Sequence, residues 1–337
     1  MKMKRILYLL PLVAMFASCE VEFTPNAEWK NIPVVYCLLD QDDDTTWARV
    51  ERCYLTEGNL YSYGNVSDSI NYPQGSITVS LLAYENGTLK DSMAFEYTER
   101  DRDSGHFAYQ RQPLYYFPTK GRLKEDYSYV LSVRDAATQD IIASTEAISL
   151  IKKTEETLIT KPDVKVYNGD TLQSGGFRFN SPASGDAYCE IQWNALENAR
   201  LYQPFVRFYY TADGRTQYVD VMCPRTTSKN NYVRYSRNQF LSDLKLLLEA
   251  DTCYKYFHRR VDLYLTSCTE DLSTYMSTVN QATSVTQANE AYNNIQGGVG
   301  IFAARRTHLY KRMNADESLK EGQGLLWFLV NLGVNLH

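Results

Sequence analysis

No stretch of this 337-residue chain carries the ~20 consecutive apolar residues that a membrane-spanning helix needs. The longest apolar runs are Ile6 to Ala17, broken by Pro11, and Leu325 to Val330 near the C-terminus. Histidine is scarce: His106, His258, His308 and His337 are the four, none within four residues of another. That spacing excludes HExxH and similar clustered imidazole motifs. Cysteine occurs seven times but never as CxxC or CxxxC, so zinc-finger spacing is absent. There is no Gly-x-Ser-x-Gly elbow for a serine nucleophile, and Gly297-Gly298-Val299-Gly300 leads into Ile-Phe-Ala-Ala where a phosphate loop needs Lys-Ser/Thr. Positive charge is in deficit as well, with a formal net charge of −5. A balance of that sign disfavours contact with nucleic-acid phosphates. These gaps leave no catalytic constellation, and neither enzymatic activity nor a cofactor is expected.

What is present begins at the N-terminus. Lys2, Lys4 and Arg5 precede the short apolar segment, and Phe16-Ala17-Ser18-Cys19 closes it with small residues followed by a cysteine. This is a secretory signal ending in a lipobox, with residues 1–18 removed and the Cys19 thiol diacylated. Two acyl chains give stable membrane attachment, each buried methylene contributing about 0.8 kcal/mol. Losing the three cations takes the chain from −5 to −8. Residues 19–30 then read as a polar tether. Its eleven residues after Cys19 reach at most ~3.3 to 3.6 Å each, which keeps the first strand within about 40 Å of the bilayer.

From Pro33 onward the pattern is that of strands. Pro33 to Leu39 is nearly continuous in apolar residues, Trp47 to Leu55 alternates, and Asp40 to Thr45 forms a polar hairpin loop between them. Ile77 to Tyr84 and Leu89 to Tyr97 flank Asn86-Gly87, a pair that favours positive φ at both turn positions. Tyr127, Tyr129, Leu131 and Val133 share one strand face, with Tyr129 placed where a tyrosine corner would tie its strand to the preceding loop. About seven strands over 31–150 predict an immunoglobulin-like β-sandwich. A polar stretch, 151–174, marks the junction to a second β-rich domain over 175–337. Asp213-Gly214 marks a hairpin there, and helices are expected near 239–249 and 270–281. Their apolar faces are Phe240, Leu244, Leu247 and Leu248 in the first, and Leu272, Tyr275, Met276 and Val279 in the second. Leu325 to Val330 reads as a final strand needing a partner. The overall fold class is mainly β.

Several residues invite a functional reading beside a structural one. Asp40, Asp42, Asp44 and Glu51 occupy positions 1, 3, 5 and 12 of a calcium-loop template, but Thr45 stands where a glycine must turn the chain. A solvated hairpin loop is the reading preferred over a cation site. The six cysteines other than Cys19 are either buried thiols or disulfide partners. Tyr115-Tyr116-Phe117 and Tyr202 to Tyr210 are strand-face packing or a contact surface, tyrosine serving both. Gly297 or Gly298 is expected at a tight turn with positive φ or a close backbone approach.

Three segments together carry a resemblance. Pro33-Val-Val-Tyr-Cys-Leu-Leu-Asp with Arg49-Val50, Trp193 with Asn198-Ala199 and Tyr202, and Asn294-Ile-Gln-Gly-Gly-Val-Gly-Ile-Phe302 are similar to a family of Bacteroidota outer-membrane lipoproteins of unassigned function. The resemblance implies an N-terminal immunoglobulin-like domain, a second β-rich domain and no catalytic residues. Many such proteins are encoded near TonB-dependent transporters. The implied partner is therefore an outer-membrane β-barrel or TonB-dependent transporter, or another envelope lipoprotein, with nutrient capture as a related role. Glu20 and Glu22 resemble the acidic signals that send such lipoproteins to the cell surface. A structural or adhesive fimbria-like subunit is the alternative. Those subunits mature by cleavage after an Arg or Lys, and here the first Arg of the folded region, Arg49, falls inside a predicted strand.

Overall fold

The computed structural model describes residues 31–53, 70–101, 111–153, 159–161, 165–167, 170–172, 188–227, 229–249, 256–281 and 292–314. Cys19, His106, His337 and the 325–330 segment lie outside them. The first strands are β1 (Pro33–Asp40), β2 (Thr45–Arg52), β3 (Ile77–Glu85), β4 (Thr88–Ala94), β5 (Glu96–Arg100) and β6 (Gln112–Pro118). They are followed by β7 (Ser128–Asp135), β8 (Ile141–Thr145), β9 (Ile148–Ser149), β10 (Ile159–Lys161), β11 (Lys165–Tyr167) and β12 (Asp170–Leu172). Next come β13 (Tyr188–Trp193), β14 (Leu201–Ala212), β15 (Arg215–Met222), β16 (Thr226–Thr227), β17 (Tyr232–Ser236) and helix α1 (Arg237–Glu249). The chain closes with β18 (Tyr256–Cys268), helix α2 (Glu270–Gln281), β19 (Ile295–Gln296) and β20 (Val299–Asn314). The fold is mainly β, sandwich-like and built on two cores.

One nine-stranded sheet serves both cores, in the order β15-β14-β18-β20-β1-β2-β6-β5, with β16 attached to β14. Against one half lies a six-stranded sheet, β19-β8-β7-β3-β4 with β9 on β7. Strand alternation explains the first core: Val35, Cys37, Leu39, Ala48, Val50, Tyr115 and Phe117 from the long sheet meet Val79, Leu81, Tyr129, Leu131 and Val133 from the shorter one. Against the other half lie the three-stranded sheet β10-β13-β17 and α1, which supply Ile191, Trp193, Val233, Phe240 and Leu244 against Tyr202, Val206, Phe208, Leu263 and Leu265.

The hairpins obey their turn residues. Asn86 and Gly87 have φ of 49° and 77°, and Asp213 and Gly214 have 50° and 71°, the double positive that two-residue turns require. Tyr129 forms the expected corner: it is fully buried, its hydroxyl accepts from the Lys124 N–H at 2.7 Å and donates to the Lys124 carbonyl at 3.2 Å. Tyr202 repeats the device in the second core, accepting from the Leu196 N–H at 2.9 Å and packing on Trp193. Two expectations change. The run Leu89 to Tyr97 is two strands, because the chain leaves the shorter sheet at Phe95, whose N–H bonds the Val79 carbonyl at 2.9 Å, and β5 enters the long sheet. In α1 the buried arc is Phe240, Leu241, Leu244 and Leu248, which leaves Leu247 at its margin, 40% exposed.

β20 joins the two cores. Its first half pairs parallel with β1, Val34 opposite Val299 through Asp40 opposite Arg305, and its second half pairs antiparallel with β18. Phe302 and Ala304 enter the first core, as does Ile295, so that core draws on residues outside 31–150. Where the chain passes between cores the change takes one peptide bond: Leu150 is in the first and Ile151 in the second, both fully buried. Polar side chains from distant segments pin that point. The Gln41 amide donates to the Ile151 carbonyl and accepts from its N–H, both at 2.9 Å, and Asn198 donates to the Leu150 carbonyl at 2.9 Å. Arg306, 7% exposed, donates to the Ile151 carbonyl at 2.8 Å and to Glu125 at 2.7 Å, with Asp42 at 3.5 Å.

Candidate binding face

The three candidate cation ligands do not converge. Asp40 pairs with Arg305 at 2.6 Å, Asp42 lies between Arg306 and His308 at 3.5 and 3.1 Å, and Asp44 takes Lys120 at 3.0 Å. Each carboxylate faces a different cation because the loop sits between β20 and the turn after β6. The Asp44 carbonyl there accepts the Thr119 N–H at 2.8 Å. Among the described residues no three His, Cys, Asp or Glu side chains gather into a metal-holding group.

The glycine motif closes the sandwich. β19 pairs with β8 in the shorter sheet and β20 with β1 in the long one, so Gly297 and Gly298 carry the chain from one sheet to the other. Gly297 has φ of +76°, and a Cβ there would come 2.8 Å from the Ile142 carbonyl. At Gly298 a Cβ would lie 2.6 Å from the Pro33 carbonyl. Asn294 then stands in for a strand neighbour, its amide donating to the Phe302 carbonyl at 2.7 Å and accepting the Phe302 N–H at 2.9 Å. The whole motif is spent on structure.

The tyrosine-rich strands divide by face. Tyr115, Phe117, Tyr202, Phe208 and Tyr210 point into the cores, as packing requires. Their neighbours point the other way, onto the side of the long sheet opposite the six-stranded and three-stranded sheets. There α2 packs on β20, whose Ile301 and Ala303 face away from Phe302 and Ala304 and are buried. Tyr36 of β1 is hydrogen-bonded to Tyr275 of α2, and burial, then Tyr275, raises its pKa. The Arg49 guanidinium stacks on Tyr36 at 4.7 Å. Beside it Trp47 packs on Tyr116 with centroids 5.6 Å apart, Arg100 lies over Trp47 at 4.2 Å, and the Tyr116 hydroxyl donates to Glu96.

A second group occupies the same side over β14, β15 and β18. Arg207 grips Asp220 with both arms, at 2.7 and 2.8 Å, while its plane lies 3.9 Å from the Tyr218 centroid and 4.8 Å from that of Tyr264. Tyr264 in turn stacks flat on Phe205 at 4.8 Å. The Asp220 carboxylate holds the guanidinium pKa well above its ordinary value. Tyr209 donates to the buried Asp262 at 2.8 Å, and burial followed by that carboxylate pushes its pKa up to about 12. These side chains hold one another rigid, and they offer ring faces, forks and carboxylate oxygens. Such a set suits a polar, aromatic contact with another macromolecule.

The described cysteines do not add nucleophiles. Cys37, Cys53, Cys189, Cys223 and Cys268 are free thiols, all but Cys53 buried. Burial raises them, Cys189 to about 12 and Cys268 to about 11, so they stay protonated at neutral pH. Arg306, Gln41 and the Arg207 cluster escaped the sequence reading. Their signals are single polar residues in strands or loops, and only tertiary structure gives them partners. In comparison with known proteins, no family model matches the chain and no curated protein matches it in sequence.

Proposed function

We propose that the chain is a lipid-anchored, non-catalytic accessory protein of the bacterial outer membrane that presents the outer side of its long sheet to a neighbouring β-barrel or transporter. The lipobox Phe16-Ala17-Ser18-Cys19 carries the reading, because it supplies an address and an anchor in one motif. The short tether then holds the sheet near the bilayer, and Trp47, Tyr116, Tyr36 and their stacked arginines give the sheet a surface of the composition found at contact centres. The buried Tyr129 corner supports an immunoglobulin-like description of the first unit. Fimbria-like maturation after Arg49 is disfavoured, since that cut would remove β1, which is paired on one side with β2 and on the other with β20.

The test is made in intact cells with the full chain. A photo-crosslinking residue at Tyr116 is expected to capture an outer-membrane β-barrel protein, and Cys19→Ala is expected to abolish both fatty-acid labelling and fractionation with the outer membrane. Outer-membrane fractionation of Cys19→Ala with label retained rejects the anchor. Recovery of the chain alone, together with tight binding of a purified glycan or peptide, replaces the partner reading with nutrient capture.

A further inference from the structure

Among the described strands the long sheet ends on β15, and that edge is built unlike β5 and β4, the far end of the same sheet and one end of the shorter sheet. β5 is five residues long and carries Glu96, Glu99 and Arg100, while β4 carries Lys90 and Asp91 and pairs with β3 through a register shift at Ala83/Tyr84. Charge, brevity and bulges are the usual protections of an edge. β15 has eight residues, Arg-Thr-Gln-Tyr-Val-Asp-Val-Met, with no proline and no lysine. It pairs with β14 without a break from Ala212 opposite Arg215 to Phe205 opposite Met222. Asp220, its one acid, is already held by Arg207.

Ladder parity identifies the open groups. The two-residue turn Asp213-Gly214 makes Ala212 and Arg215 a mutually hydrogen-bonded pair, and the 2.9 Å bond from the Cys223 N–H to the Pro204 carbonyl keeps the odd-numbered residues turned toward β14. Thr216, Tyr218, Asp220 and Met222 therefore aim their N–H and C=O groups outward. We infer that β15 pairs antiparallel with β15 of a second copy of this chain, about a two-fold axis through Val219.

The register selects itself. Centred on Val219, Thr216 meets Met222 of the other copy and Tyr218 meets Asp220, so all four outward residues of each copy are paired. A centre at Tyr218 or Asp220 leaves one residue per copy unmatched. On the outer side the pairing sets Tyr218 against the Asp220–Arg207 fork of the other copy, and on the inner side Val219 meets its own image in a close, non-hydrogen-bonded pair. Strand pairing alone falls short of the ~1,200 Å² typical of stable assemblies. Apolar surface to extend it is at hand: Tyr218 is 53% and Met222 46% exposed on the strand, and α1, which packs against β15, leaves Leu246 71% and Leu247 40% exposed.

The full-length chain in mild detergent tests this by multi-angle light scattering and by disulfide trapping. Twice the protein mass of one chain is expected. Val219→Cys should give a covalent dimer on mild oxidation, because a non-hydrogen-bonded antiparallel pair places Cβ atoms within disulfide reach, whereas Gln217→Cys, opposite Val221, should not. Tyr218→Pro removes an edge-facing N–H together with the ring that stacks on Arg207. It should raise the dimer dissociation constant by about tenfold or more, which corresponds to about 1.4 kcal/mol. A monomer at all concentrations overturns the inference. So does a Val219→Cys chain that stays uncrosslinked or links only to a different protein, and the trapping result stands even if Tyr218→Pro fails to fold.

Discussion

Gly300 has the least room of the described glycines. Its φ is +129°, and a Cβ there would fall 1.9 Å from the Val35 carbonyl, where β20 runs against β1. Gly75 offers the control: its φ is +78°, but nothing lies within 4 Å of an added Cβ. Gly75→Ala should therefore cost only the left-handed backbone penalty, about 1 to 2 kcal/mol. Gly300→Ala should add displacement of the β1 backbone and cost more than about 3 kcal/mol, read as a lower midpoint in urea unfolding. Equal midpoints for the two variants would show that β20 yields at Gly300 without strain. Glycine density in 294–302 is visible in the sequence and points to Gly297 and Gly298. It cannot rank them against Gly300, because the atom that forbids a side chain there belongs to a strand about 265 residues earlier in the chain. Tyrosine corners are more legible, since Tyr129 and Tyr202 reach backbone only five and six residues away.

Between elements, legibility depends on whether the partner is local. Hairpins at Asn86-Gly87 and Asp213-Gly214 are readable because the turn chemistry is contained in two residues. The division of β4 from β5 is not, because an extended segment of mixed residues looks the same whether it stays in one sheet or crosses to another. Arg306 shows the difference most clearly. In the sequence it is half of an Arg-Arg pair, yet Arg305 is 43% exposed at its side chain and Arg306 only 8%. Arg305→Ala removes a half-exposed guanidinium from the largely buried Asp40 carboxylate, which keeps the Asp42 N–H at 3.2 Å, and should cost about 1 to 2 kcal/mol, less than the change at Arg306. Arg306→Ala leaves the Ile151 carbonyl with the Gln41 amide as its side-chain donor, takes from Glu125 its 2.7 Å cation and leaves Asp42 with His308. Buried pairs broken from one side cost about 3 to 5 kcal/mol, and partial exposure of the two carboxylates lowers the expectation to about 2 to 4. Arg306→Lys should rescue little, since a single ammonium cannot reproduce the fork that reaches carbonyl and carboxylate together. Denaturant midpoints for the three variants decide it, and matching losses at 305 and 306 would place the clamp elsewhere.

For the whole molecule, two β-rich units in sequence order would each fold from its own residues, and the mainly β class with two cores is indeed legible from strand pattern and turn spacing. What no local pattern carries is the return of the chain's last described strand to its first. β1 has β20 as its parallel neighbour, and Ile295, Phe302 and Ala304 fill part of the first core. A fragment of residues 31–150 therefore begins with β1 exposed along seven paired positions, from Val34 to Asp40, and with an apolar gap where Phe302 should sit. Filling such a gap is worth several kcal/mol, about 3 to 5 for a buried Phe, against a total stability of about 5 to 15 for a domain. An open, flat edge beside it also invites aggregation. The isolated fragment is expected to expose hydrophobic surface, bind a dye such as ANS and lack a cooperative thermal transition. Adding a synthetic peptide spanning 292–306 should restore that transition, because it supplies β19, the glycine crossing and the half of β20 that lies on β1. Restoration should fail when the peptide carries Ala at position 300, because its Cβ would meet the Val35 carbonyl. A fragment of 31–150 that melts cooperatively by itself, with no gain from the peptide, would mean that β20 only lines a core already complete.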